Sequence, residues 1–166
     1  MMRIILFFNI DLQTYEMENT MTTTADPKSA SDRALVLSFF QKLGTENDID
    51  GWLKLIAKDV VVETPFAPVG QRTHFRGRRE IELRFGNARR PMKSMEFFDI
   101  EILSTEDPER WVALCKGRGV HAEGAQYANS YCWLFRVRGG EIVWWREYYD
   151  PQPVMPFLDK ISMNTA

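Results

Sequence analysis

Residues 141–154 read EIVWWREYYDPQPV: two tryptophans, two tyrosines, one arginine and three acids in fourteen positions. A β-strand sends successive side chains to opposite faces. On that rule Val143, Trp145, Glu147 and Tyr149 share one face, and Ile142, Trp144, Arg146 and Tyr148 share the other. Just upstream, NSYCWLFRVRGG (129–140) has the same alternation and ends in Gly139-Gly140, a hairpin signal. Two adjacent antiparallel strands follow from these residues alone, with Glu147 set between aromatic rings on a face made for burial.

Working outward, MEFFDIEIL (95–103) and RWVALCKGRGVHA (110–122) read as two further strands, the glycines of the second marking a bend or bulge. Upstream of Pro91 the period changes. Ser31 or Asp32 is placed to cap a helix carrying Val36, Phe39, Phe40 and Leu43, and Gly44 to end it. Asp48 is placed to cap a second helix with the stripe Trp52, Leu53, Ile56 and Ala57. DVVVETPF, from Asp59, reads as a strand stopped by Pro65, and residues 76–86 as a third helix. A short helix after the last strand would fold Val154, Phe157 and Leu158 back onto the body. The order predicts an α+β fold: three N-terminal helices on the concave side of a curved antiparallel sheet. Such a cone encloses an apolar pocket.

The chain has 166 residues, 45% hydrophobic and 27% charged, the proportions of one globular domain. A net charge of −2 argues against nucleic acid as a partner. No run reaches the roughly 20 apolar residues of a membrane span. Two cysteines make no disulfide framework and point to a reducing, cytoplasmic setting. Residues 1–30 read as a flexible tail with later start points at Met17 and Met21, residues 31–160 as the domain, and 161–166 as a second tail. MMRIILFFNIDL opens with an arginine and a short apolar run but has no clear signal-peptide cleavage site.

Glu147 is the first candidate for chemistry. Desolvation between rings raises a carboxyl pKa toward the range of a general acid/base. The alternative is a structural ion pair. Arg146 points to the other face, so that pair would need Lys116, Arg118 or Arg136. Asn129 and Tyr131 share a face with Trp133 and Phe135, fit to orient a polar group or simply to pack across strands. His121 and His74 are lone histidines, a type more often solvated than catalytic. With no clustered acids at ligand spacing, no protein-built metal site is expected. Asp99 and Glu101 read as solvent-facing. The arginines at 72, 76, 78, 79, 84, 89 and 90 form a basic region around the third helix, either a solvated face or a binding surface.

The run Gly139-Gly140-Glu141-Ile142-Val143 into Trp145-Arg146-Glu147-Tyr148-Tyr149-Asp150, with Tyr127-Ala-Asn129-Ser-Tyr131-Cys-Trp-Leu-Phe, resembles the nuclear transport factor 2-like superfamily and within it the SnoaL-like group. ILSTEDPERWVALCKGRG (102–119) is similar to phenazine-ring-forming condensation enzymes. The resemblance implies a cofactor-independent enzyme acting on an apolar ketone or polyketide-like intermediate by cyclisation, condensation, isomerisation or hydration. It sets Glu147 on the working carboxylate of limonene-epoxide hydrolases and of the phenazine enzymes. Other family positions depart. Val62 and Thr64 stand for a water-holding pair, Thr64 for the ketosteroid isomerase base, Arg118 and Lys116 for a mid-strand Arg and Asp, and Arg84 and Ala88 for a His and a Ser. The expected substrate site is therefore Glu147 with Asn129, Tyr131, Trp133, Trp145, Tyr149, Phe39, Thr64, His121 and Arg118. The resemblance also implies a homodimer through the outer sheet face at Trp144 and Tyr148. The alternative is a non-catalytic ligand-binding or dimerisation module of the same fold.

Overall fold

The computed structural model describes residues 26–157; the expectations for the N-terminal tail, Leu158 and the last residues lie outside these. Helix α1 spans Pro27–Leu43 and α2 Ile49–Lys54. They are followed by strands β1 Ile56–Glu63 and β2 His74–Arg76. A broken helical segment comes next: α3 Arg78–Ile81, a π-helical turn Glu82–Gly86 and α4 Asn87–Arg89. Strands β3 Met92–Ser104, β4 Arg110–His121, β5 Gln126–Arg138 and β6 Glu141–Tyr149 complete the body, and a 3-10 turn, Gln152–Val154, follows. The six strands form one sheet in the order β2-β1-β6-β5-β4-β3. All neighbours are antiparallel except β1 and β6, which run parallel.

Local chemistry explains most boundaries. Helix α1 begins before Ser31, because the Asp26 carboxylate accepts from Lys28 N–H and a proline opens the helix, where no intrahelical N–H is needed. Asp32, expected as a cap, is instead buried within α1 and paired with Lys28 at 2.7 Å. Gly44 ends the helix, and its N–H donates to the Phe40 carbonyl. Asp48 caps α2 through Gly51 N–H. That helix stops at Lys54, so Ile56 and Ala57 belong to β1 rather than to a helical stripe. Both residues of the β5–β6 turn have positive φ, 61° at Gly139 and 78° at Gly140, which is why this turn carries two glycines.

Three features depart from simple alternation. In β6 the pairing steps from Arg136↔Trp144 to Val137↔Ile142, so Val143 is an extra residue. This bulge returns Ile142 to the buried face, where it is fully buried with Trp145. Strand β3 bulges twice against β4, once at Lys93 and once near Asp99, which has φ 51°. The glycines of β4 are not themselves the bulge. A Cβ on Gly117 would lie 2.9 Å from the Tyr131 ring, and one on Gly119 2.6 Å from the Ser94 carbonyl. They let neighbouring groups approach the sheet.

The helices cover one face of the sheet. At its centre Phe39 of α1 meets Trp52, Trp133, Phe135 and Trp145, with centroid separations of 5.2–5.6 Å and steep interplanar angles. Edge-to-face packing of this kind adds to area burial. Phe85, on the π-helical turn, continues the cluster against Trp52, Phe75 and Trp145. No described helix is long and apolar enough to cross a membrane.

Candidate active site

Beside this ring cluster lies a cavity of ≈ 180 Å³. Its wall is mostly apolar, with Leu43, Phe85, Met92, Met95, Phe97 and Trp133 among the lining residues. It is smaller than the roughly 300–1,000 Å³ that holds a drug-sized ligand. A molecule of one or two rings suits it. Five other side chains bring polar atoms to the lining: Glu147, Tyr127, Tyr131, His121 and Arg89.

Glu147 reaches the cavity because β6 pairs it with Trp133 of β5, directly opposite. It is 8% exposed. No described residue forms a hydrogen bond or ion pair with it, and the cations that would neutralise it are engaged elsewhere. Arg146, on the outer face, pairs with Glu63 at 2.5 Å. Lys116 pairs with Asp99 at 2.9 Å, Arg118 with Glu96 at 2.7 Å, and Arg136 with Asp107 at 3.9 Å. Burial pushes the Glu147 carboxyl up to about 8, opposed only in part by the charge of Arg84. At neutral pH the group is mostly a neutral acid, and it ionises within reach of physiological pH.

Arg89 contributes charge to the wall but not to a substrate. Its guanidinium donates to the carbonyls of Leu43, Gly44 and Met92 at 3.0, 3.1 and 2.9 Å. Two of these carbonyls close the C-terminal end of α1, where a positive charge is favoured. His121 is likewise held. Its Nδ1 accepts from Glu123 N–H at 3.2 Å, which places the proton of the neutral ring on Nε2. Its ring packs against Phe157.

The tyrosines form a chain. Tyr127 and Tyr131 hydroxyls are 2.5 Å apart, and the Asn129 amide donates to the Tyr127 hydroxyl at 3.2 Å. Burial pushes Tyr127 up to about 12 and Tyr131 well above the ordinary phenol value. Both remain phenols across the physiological range.

The residues named from sequence divide accordingly. Glu147, Tyr131, Trp133 and His121 line one cavity. Phe39 and Trp145 are fully buried in the ring cluster instead. Asn129 lies behind the wall, bound to Tyr127 and to the backbone of Asp150. Tyr149 is half-buried, 6.4 Å ring to ring from Tyr131, and does not border the cavity. Thr64 is buried beyond β1, its N–H donating to Thr73. Arg118 sits on the opposite, solvent-facing side of β4, over the Phe98 ring. The parity of β4 explains this, because Arg118 alternates with the buried Gly117 and Gly119. Among the described residues no group of three His, Cys, Asp or Glu side chains is placed to hold a metal.

Tyr127, Phe97, Met92, Met95 and Arg89 were not anticipated as lining. For Tyr127 a signal existed: it has the same parity as Asn129 and Tyr131. The others are brought in by the docking of β3 and α4, which no local pattern encodes.

The α+β fold, with helices on one face of a curved sheet, is shared with solved SnoaL-like and NTF2-like relatives, and the chain belongs to the SnoaL-like domain family. Residues 36–145 match the sequence profile of the SnoaL-like domain. Glu147 lies just beyond the matched span. The chain is 30% identical over 111 residues to an uncharacterised PhzA/B-like protein of Pseudomonas aeruginosa, covering 66% of this chain and 78% of that protein. A provisionally assigned isomerase from Bacillus subtilis superposes with a TM-score of 0.71 at 22% identity, over 79% of this chain and 94% of its own. A phenazine biosynthesis-related protein from Pseudomonas aeruginosa gives 0.66 at 18%, over 81% and 87%. A provisionally assigned polyketide cyclase from Xanthomonas campestris pv. campestris gives 0.64 at 19%, over 81% and 98%. At these identities the structural matches establish the fold.

Proposed function

We propose that the protein is a proton-transfer enzyme for a small apolar ketone or polyketide-like intermediate, with Glu147 as its base and then its acid. The observation that carries this reading is the unpaired, buried carboxyl bordering an apolar cavity. The ionised carboxylate takes a hydrogen from the carbon beside a carbonyl. The C–H electron pair moves into a C–C double bond and the carbonyl oxygen becomes an enolate. The new Glu147 O–H then returns its proton, to another carbon in an isomerisation or to oxygen after ring closure, and the carboxylate is restored. A base whose pKa is close to the working pH is the efficient choice. One structural neighbour is provisionally named a polyketide cyclase and another phenazine biosynthesis-related, which supports the substrate class.

A two-ring ketone such as 2-tetralone in D₂O provides the test, since hydrogen exchange beside its carbonyl is the first half of the reaction. The exchange rate is expected to rise about tenfold per pH unit and level off above about 8, following ionisation of Glu147. A rate that falls through this range, or ignores it, contradicts the base assignment.

A second reading rests on the outer face. Phe66 is 59% exposed, its ring lies 5.3 Å from that of Tyr148, and the nearby Trp144 ring is flanked by Arg110 and Arg146. Exposed aromatics with arginines are an interface signature. We propose that two copies pair through this face. Sedimentation at micromolar concentration is expected to give a dimer that Trp144→Glu converts to monomer; a monomeric unmodified protein removes the idea.

A further inference from the structure

The cavity has a second polar end. Glu147 lies opposite Trp133 on β5, whereas His121 follows the Val120↔Gln126 pair at the far end of β4. The two side chains therefore line the cavity from opposite ends of β5. His121 is 6% exposed. The Glu123 N–H can only donate, so its bond to Nδ1 fixes the neutral ring with its proton on Nε2. Among the described residues that Nε2–H has no acceptor. Its surroundings carry positive charge. Met92 stands directly opposite His121 in the β3–β4 register, and the Met92 carbonyl accepts from the Arg89 guanidinium at 2.9 Å. Arg89 is also 6% exposed, and its three acceptors are all backbone carbonyls. The end of α1 supplies partial negative charge, but among the described residues no carboxylate pairs with Arg89. A buried cation without a full counter-charge is unfavourable. Burial lowers the Arg89 pKa, and no acid acts against that fall. The Glu147 carboxyl feels the charge of Arg84 but not that of Arg89, as expected of groups at opposite ends.

We propose that this end of the cavity is an anion subsite, in which His121 Nε2–H donates to a carboxylate on the substrate and the fixed charge of Arg89 behind it favours the anion without bonding to it. A hydrogen bond to a charged group is stronger than one between neutral groups. A charge in a wall of low dielectric is also little screened. The inference rests on the Glu147 reading for the proton step and narrows its substrate to a keto acid. The reacting carbon of a flat one- or two-ring ketone faces Glu147, and the carboxylate lies at the other end. Binding tests the subsite without turnover. A carboxylate anchored away from the reacting carbon is held equally in the ground state and the transition state. It therefore lowers KM and leaves kcat nearly unchanged.

The probe is 2-naphthoate, measured at pH 7 against 2-methylnaphthalene, which has the same frame without the charge. The unmodified protein is expected to bind naphthoate more tightly. In His121→Phe, which keeps a ring against Phe157, the naphthoate affinity should fall at least ~10-fold, as for loss of a hydrogen bond to a charged group, and that of 2-methylnaphthalene far less. His121→Gln retains a side-chain N–H and should keep most of the naphthoate preference, which separates loss of the donor from loss of the fold. In deuterium exchange, 6-carboxy-2-tetralone should show a lower KM than 2-tetralone at similar kcat, and His121→Phe should erase the difference. No naphthoate preference in the unmodified protein, equal losses for both ligands, or a preference that survives His121→Phe overturns the subsite. A keto acid KM no lower than that of 2-tetralone overturns the substrate class. If neither ketone exchanges while the naphthoate preference still depends on His121, the Glu147 reading fails and the anion subsite stands.

Discussion

Glu147→Gln is expected to slow hydrogen exchange on 2-tetralone by at least ~10²-fold, the usual share of one acid/base group, while the fold is kept. Glutamine matches the carboxyl in shape and hydrogen-bonding reach but cannot carry a proton between two sites. Nothing else on the cavity wall can replace it. Arg89 is held by three carbonyls, and His121 has Nδ1 occupied by the Glu123 N–H. Tyr127 and Tyr131 keep their protons. Exchange measured by NMR above pH 8, where the carboxylate predominates, gives the largest difference. Retention of the full rate in the variant removes Glu147 from the chemistry.

The same substitution is expected to stabilise the protein at neutral and alkaline pH. The carboxyl ionises near 4.5 in an unfolded chain and at about 8 in the folded one. Between these values the folded state keeps a proton that the unfolded state has released, so stability falls as pH rises. Each pH unit costs about 1.4 kcal/mol, which reaches about 3 kcal/mol by pH 7. Below about pH 4.5 both states are protonated and the cost is absent. Urea midpoints should therefore coincide for the two proteins near pH 4 and separate as pH rises, with Glu147→Gln the more stable. Parallel curves would mean that the folded carboxyl ionises normally. An acid that weakens the fold at working pH is of the kind found where function competes with stability.

Much of this was legible in the sequence. The period-2 runs and the Gly139-Gly140 turn specify β5 and β6, and the caps at Gly44 and Asp48 act locally. What escaped has physical reasons. Strand β2 has three residues, too few to show a period. The parallel β1–β6 pairing joins Val62 to Trp145 across half the length of the chain, and no local pattern encodes such a partner. The bulge at Val143 changes the face of Ile142 by one extra residue within an apolar run, where either face looks suitable. The start of α1 was missed because Asp26 and Pro27 sit in a stretch with linker composition. At the site, Glu147 stood out because a carboxyl between rings conflicts with burial. Phe39 and Trp145 look like pocket walls in sequence, but rings so numerous fill the space they surround. Asn129 shares a face with the cavity residues, yet its amide is taken up by backbone and Tyr127.

The most direct measurement is a carbon-13 NMR titration of the glutamate side-chain carboxyls, with the Glu147 signal assigned by its absence from Glu147→Gln. The account predicts that this one carboxyl stays protonated through neutral pH and titrates near 8. Titration of Glu147 near 4.5 with the other carboxyls would contradict it, and with it the buried, unpaired base on which the proposed function stands.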